Sequence, residues 1–189
     1  MFKAKKEKMK IKHIILSTIA FSLIACGSGG GNSDSDATDS TAVESNEMQE
    51  DYSQMQEVDL SEYGVMASMY VPNGNLMIEE SGYGSIVLRV GDRFGIEVVP
   101  FGMEIVEKRN ELEAGTVFQV EVLEERTDYM FFKKFIPGSE VLQEFHVYLT
   151  RDINGELVAV KSLDDMEMKE AQAREVLKSA KSIKAKEAA

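Results

Sequence analysis

The stretch from residue 65 to residue 162 consists mostly of short apolar runs that end at turn residues, and this spacing is the strongest constraint on the fold. The runs have the length of β-strands. Turn signals such as Pro72-Asn73-Gly74 and Gly91-Asp92 separate them. The pattern predicts strands over residues 65–71, 76–80, 85–90, 94–99, 116–122, 128–136, 141–151 and 156–162.

Local detail supports strands rather than buried helices. Phe118, Val120 and Val122 alternate with polar residues, which predicts a strand with one buried face. Asn154-Gly155 lies between the last two predicted strands and is a strong hairpin signal. We therefore expect antiparallel pairing of neighbouring strands.

Two segments have helical spacing instead. Residues 103–113 predict a short helix that ends before Gly115, and residues 166–183 predict a closing helix. Asp164 or Asp165 is expected to cap the second helix. Lysines near its C-terminal end suit the helix dipole. One apolar stripe runs along this helix and comprises Ala173, Val176, Leu177, Ala180 and Ile183.

These elements predict an α+β fold. It has one antiparallel sheet of about seven or eight strands, a short mid-chain helix, and a C-terminal helix packed on one sheet face. The element order over residues 65–184 resembles the PsbP-like group of small α+β domains, which includes exported bacterial proteins. That resemblance implies an accessory or binding protein rather than an enzyme, and it carries over no functional residue.

The first 26 residues have the features of an export signal. Six lysines and one acid precede an uncharged, mostly apolar run of twelve residues, 14–25, which is too short to span a bilayer as a helix. The run ends in Leu23-Ile24-Ala25-Cys26, and Cys26 is the only cysteine of the chain. This segment resembles the lipobox signal peptide of bacterial lipoproteins.

The resemblance to lipoproteins implies how the chain is processed and where it is located. Residues 1–25 would be removed, and Cys26 would carry a diacylglyceryl group on its thiol and often an acyl chain such as palmitate on its amine. Two or three acyl chains anchor a protein stably to a membrane, whereas a single acyl chain binds only marginally. Gly27, where an Asp would favour retention in the inner membrane, favours the outer membrane of a Gram-negative envelope. The alternatives are an ordinary signal peptide with a chance cysteine, and a start at Met9.

Composition divides the rest of the chain. Residues 26–56 are rich in Gly, Ser, Asp and Glu and predict a disordered acidic tether that follows the lipidated cysteine. Residues 57–189 have the length of a single domain, with 25 acidic and 15 basic residues, a net charge of −10. That acidity argues against nucleic acid as a partner, because phosphate binding needs clustered Lys and Arg.

Few residues suggest chemistry. His146 is the only histidine outside the signal, and strand geometry places it on one face with Glu144 and Tyr148. Such a set could perform acid–base catalysis, but the solvated face of a half-buried strand explains it more simply. The glycines match no phosphate-binding or nucleotide-binding motif. The sequence predicts no catalytic residue, metal or cofactor.

One segment is aromatic and basic within this acidic domain. It comprises Tyr129, Phe131, Phe132, Lys133, Lys134 and Phe135. Aromatic residues are enriched at interfaces, so the segment is a candidate interaction patch. The alternative places Tyr129 and Phe131 in the core, with lysines protecting a sheet edge.

Two functional hypotheses remain. The first is a non-enzymatic envelope lipoprotein that contacts another envelope protein. The second is a small-ligand binder with a groove between the sheet and the C-terminal helix.

Overall fold

The computed structural model describes residues 50–115, 117–139 and 143–186. This part of the chain contains ten strands, two α-helices and one turn of 3-10 helix, and it is an α+β fold with a mid-chain and a C-terminal helix. The elements are β1 (Met55–Asp59), β2 (Ala67–Pro72), β3 (Leu76–Glu80), β4 (Ile86–Val90), β5 (Phe94–Val99), α1 (Ile105–Glu113), β6 (Gln119–Glu125), β7 (Tyr129–Phe135), β8 (Gln143–Ile153), β9 (Glu156–Ser162), α2 (Glu170–Lys181) and β10 (Lys184–Ala185).

The larger sheet has seven antiparallel strands in the order β3-β4-β5-β9-β8-β7-β6. After β5 the chain passes through α1 to the opposite edge of the sheet and returns strand by strand to pair β9 with β5. The predicted hairpin joins β8 and β9, where Asn154 and Gly155 both have positive φ, 56° and 88°. These are the angles that Asn-Gly turns favour.

A second sheet corrects the single-sheet expectation. The order β1-β2-β10 removes the segment around residues 67–72 from the larger sheet. β10 has only two residues and follows a helix, so its sequence gave no strand signal. β1 begins at Met55, before the domain start predicted at residue 57, and Tyr52 stacks on Tyr70 with ring centroids 5.1 Å apart.

α2 closes the larger core. The predicted apolar stripe is buried and packs with residues of both sheets in one cluster, and its last member, Ile183, lies just beyond the end of α2. The capping prediction was wrong, because α2 begins at Glu170. Asp164 instead pairs with Lys161 at 3.1 Å, and Asp165 pairs with Arg89 at 2.7 Å. Neither described helix is long and apolar enough to cross a membrane.

α1 covers part of the opposite face of the larger sheet. A smaller cluster forms there from Ile105 of α1 and from Met130, Phe132, Tyr148 and Ala159 of the sheet. The helix starts two residues later than the sequence predicted. Both faces of the sheet therefore carry apolar side chains, but only α2 lies on an extensive core.

Candidate functional site: a groove beside α1

The shortness of α1 leaves a groove on its face of the sheet. Nine helical residues span about 13 Å, whereas seven strands span about 29 Å. α1 contacts β6 and β8, so the strands toward β3 are less covered on this face. The groove that results has a volume of about 270 Å³.

Strand register fixes the floor of the groove. Glu97 of β5 pairs with Lys161 of β9, and Lys161 pairs with Tyr148 of β8, so these three side chains form one row across the sheet. Val99 and Ala159 form the next row and make the floor apolar.

Residues 101–103 form one wall. A Cβ on Gly102 would lie 2.8 Å from the Ala159 backbone nitrogen, so only glycine allows this close approach. The Gly102 N–H donates to the Leu157 carbonyl at 2.8 Å. Phe101, with φ of 57°, is thereby turned outward and is 79% exposed.

Tyr148 fixes this wall through two hydrogen bonds to Met103. Its hydroxyl donates to the Met103 carbonyl at 2.8 Å and accepts the Met103 N–H at 3.1 Å. The ring is buried, and Lys108 Nζ of α1 lies 5.5 Å from its centroid. Burial raises the pKa of Tyr148, so it remains a neutral donor.

The turn between β3 and β4 forms the other wall and carries Tyr83, which is fully exposed. Ser85 donates to Glu97, and the Ser81 and Ser85 hydroxyls lie 2.6 Å apart. Glu97 in turn pairs with Lys161 at 3.0 Å. The turn is therefore tied to the floor by a continuous polar chain.

Lys161 is the centre of the charges in the groove. Burial alone would lower its pKa, but the hydrogen bonds and charges of Glu97 and Asp164 outweigh burial and raise the pKa above its usual value. Burial would likewise raise the pKa of Asp164, yet Lys161 and Lys134 hold it below its usual value. Lys161 and Asp164 therefore remain charged near pH 7 and form an ion pair.

His146 lies next to the groove in a smaller pocket of about 20 Å³, enough for one water molecule. The imidazole is 2% exposed, and its Nδ1 lies 3.1 Å from Ser162 Oγ. Ser162 Oγ also accepts the Val147 N–H at 3.1 Å, so this hydroxyl connects the imidazole to the backbone of its own strand. Nε2 has no hydrogen-bond partner among the described residues.

Burial, together with the positive charges of Lys134 and Lys161 and against the opposing charge of Asp164, lowers the pKa of His146 to about 4. The ring is therefore neutral at pH 7, and Glu144 Oε2, 3.5 Å from Nε2, forms no ion pair with it. The shared face predicted for Glu144, His146 and Tyr148 is present. This face is buried rather than solvated at His146 and Tyr148.

The predicted aromatic and basic segment is divided between two faces of an internal strand. Phe131 and Phe132 are buried on opposite sides, and Tyr129 packs against the larger core. Lys133 pairs with Glu121, and Lys134 pairs with Asp164. Phe135 remains half-buried. β7 lies between β6 and β8, so its lysines protect no edge.

The described residues also bear on metal binding. They include no group of three or more His, Cys, Asp or Glu side chains placed to hold a metal ion. Cys26, the predicted lipid-attachment residue, lies outside the described residues. The groove therefore offers apolar and aromatic contact surface with internally paired charges.

No protein-family model matches this chain, and no curated protein matches it.

Removing the hydroxyl of Tyr148 should loosen the wall at residues 101–103. We expect Tyr148→Phe to lower the free energy of unfolding by about 1–2 kcal/mol, because two backbone groups of Met103 lose their partner. Hydrogen exchange at the Met103 amide should become faster. Tyr129→Phe, which removes only a 3.3 Å bond to Glu124, is the control and should leave that amide unchanged. Unchanged exchange in Tyr148→Phe would contradict this role.

Proposed function

We propose that this chain is a bacterial envelope lipoprotein, anchored by lipid on Cys26 and acting without catalysis as an accessory factor that binds a partner protein. In a Gram-negative cell its membrane would be the outer membrane. The observation that supports partner binding is the pair of exposed aromatic side chains, Tyr83 and Phe101, on the walls of one groove. Exposed aromatic residues around an apolar floor are typical of interaction sites.

The charges support binding rather than catalysis. Two lysines and two glutamates line the groove, and each is already paired, Lys108 with Glu111 and Lys161 with Glu97. The neighbouring His146 is buried and neutral, which makes it a weak candidate for proton transfer. The resemblance to PsbP-like domains also favours an accessory role.

A small-ligand binder is the second candidate. The groove volume of about 270 Å³ is close to the lower limit of ligand pockets. The interface between the sheet and α2, where such a groove was first expected, is filled by the larger core cluster. A ligand would therefore use the groove beside α1, and it would compete with the partner for Phe101.

Affinity capture from crosslinked cells tests the proposal. The tagged full-length chain should enrich one envelope protein, and Phe101→Ala should reduce that enrichment at least about tenfold, because central aromatic anchors dominate interface energy. Met77→Ala is the matched control, since Met77 is also an exposed apolar residue but does not line the groove. It should behave like the unmodified chain.

Cys26→Ser tests the lipid anchor independently of the groove. This variant should leave the membrane fraction and lose the partner in cells while it retains the folded domain. A chain that stays in the membrane fraction after Cys26→Ser would overturn the lipid anchor. Enrichment that is equal in Phe101→Ala and in the unmodified chain would overturn the groove as the contact site.

A further inference from the structure

Charge is distributed unevenly between the groove and the surface around it. Residues 57–189 carry a net charge of −10. The charged residues lining the groove, Glu97, Lys108, Glu111 and Lys161, sum to zero and are paired. The groove is thus a neutral, partly apolar site in an acidic surface.

Carboxylates flank this neutral site on two sides. Glu79 of β3 lies in the same cross-strand row as Val87 and Glu97, so it is on the groove face of the sheet. Glu104 follows Met103 directly, and Glu107 lies one turn further along α1. All three flanking glutamates are exposed, and none forms an ion pair within the described residues.

We propose that the groove binds an extended, positively charged segment of the partner, with one apolar side chain between Tyr83 and Phe101 and with Lys or Arg residues beside the flanking glutamates. This inference rests on the proposed function and adds the chemistry of the partner.

In this proposal the groove binds the apolar side chain, and the flanking glutamates attract the basic residues. An apolar side chain entering the groove displaces water from Val99 and from the aromatic walls without desolvating an unpaired charge. The flanking glutamates stay hydrated and attract cations, which raises the association rate and discriminates against acidic segments. A second copy of this acidic chain would be repelled, and so would its acidic tether.

Synthetic peptides test the inference on the full-length chain in neutral detergent. The first peptide has a central Phe with two Lys on each side, the second replaces the lysines by Glu, and the third replaces Phe by Ala. The basic Phe peptide should bind at least about tenfold more tightly than either of the others at low salt, a difference of about 1.4 kcal/mol. Its advantage over the acidic peptide should shrink as salt is added.

Protein variants locate the binding. Phe101→Ala should weaken binding of the basic peptide at least about tenfold. The double variant Glu79→Gln and Glu104→Gln should weaken binding of the basic peptide severalfold and reduce the salt dependence of that binding. Glu62→Gln, an exposed change on the 3-10 helix Ser61–Tyr63, is the control and should have little effect.

Several outcomes would overturn the inference. These are equal binding of the acidic peptide, no saturable binding of the basic peptide, and a dimer of the full chain that Phe101→Ala dissociates, which would assign the groove to a second copy. The first two leave the proposed function intact, because the capture experiment tests Phe101 dependence on the natural partner whatever its charge.

Discussion

Replacing Phe131 by alanine should lower the free energy of unfolding by about 3–5 kcal/mol, the usual cost of removing a fully buried phenylalanine. Phe131 is 0% exposed in the larger core cluster. Its ring stacks on Phe145 at 6.2 Å, and the Arg174 guanidinium lies 3.9 Å from its centroid. The variant loses apolar contacts on the sheet and a cation–π contact with α2.

Phe135→Ala is the matched control, because Phe135 is on the same strand and face but is only half-buried. We expect it to cost about 1 kcal/mol or less. Urea unfolding of both variants gives the comparison. If Phe131→Ala kept nearly full stability and lost partner binding instead, this residue would belong to an interaction patch and not to the core.

Acidification from pH 7 to pH 5 should reduce the free energy of unfolding by about 2 kcal/mol through His146 alone. The pKa of His146 is about 4 in the folded chain, whereas an exposed histidine has a pKa of 6.5. Between these values the unfolded chain binds a proton on His146 that the folded chain does not. Stability is therefore complete above pH 6.5 and falls as the pH decreases toward 4.

Urea unfolding at several pH values measures this dependence. His146→Gln should remove most of the slope between pH 7 and pH 5, and the slope is the quantity to compare because the replacement also changes packing. Carboxylates whose pKa values are lowered, such as that of Glu124, lose their contribution only at more acidic pH. An unchanged slope in His146→Gln would contradict the buried neutral histidine.

Most of the larger sheet could be predicted from the sequence. β3, β5 and β9 have the predicted bounds because apolar alternation and flanking Gly, Pro or Asn residues delimit them. The α2 stripe followed from its 3.6-residue period. β1 and β10 could not be predicted, because they are short edge strands whose pairing depends on β2.

The groove could not be predicted from local patterns. Tyr83 and Phe101 are separated in sequence, and they line one groove only because the strand order places β4, β5 and β9 together. The burial of His146 was missed for a similar reason, because a two-residue period gives the face of a strand but not what covers that face. Neither the positive φ of Phe101 nor the close approach of Gly102 to Ala159 was predicted, because both depend on how residues 101–103 pack against β9.

Site-specific photo-crosslinking in intact cells tests the central claim most directly. A photoreactive amino acid replaces Phe101 in the full-length chain, and a second variant carries it in place of Met77 as the control. We predict one prominent crosslinked protein from position 101, attached through a segment rich in Lys or Arg, and none in that amount from position 77. Absence of a specific product at position 101, or the same products from both positions, would contradict a partner-binding groove.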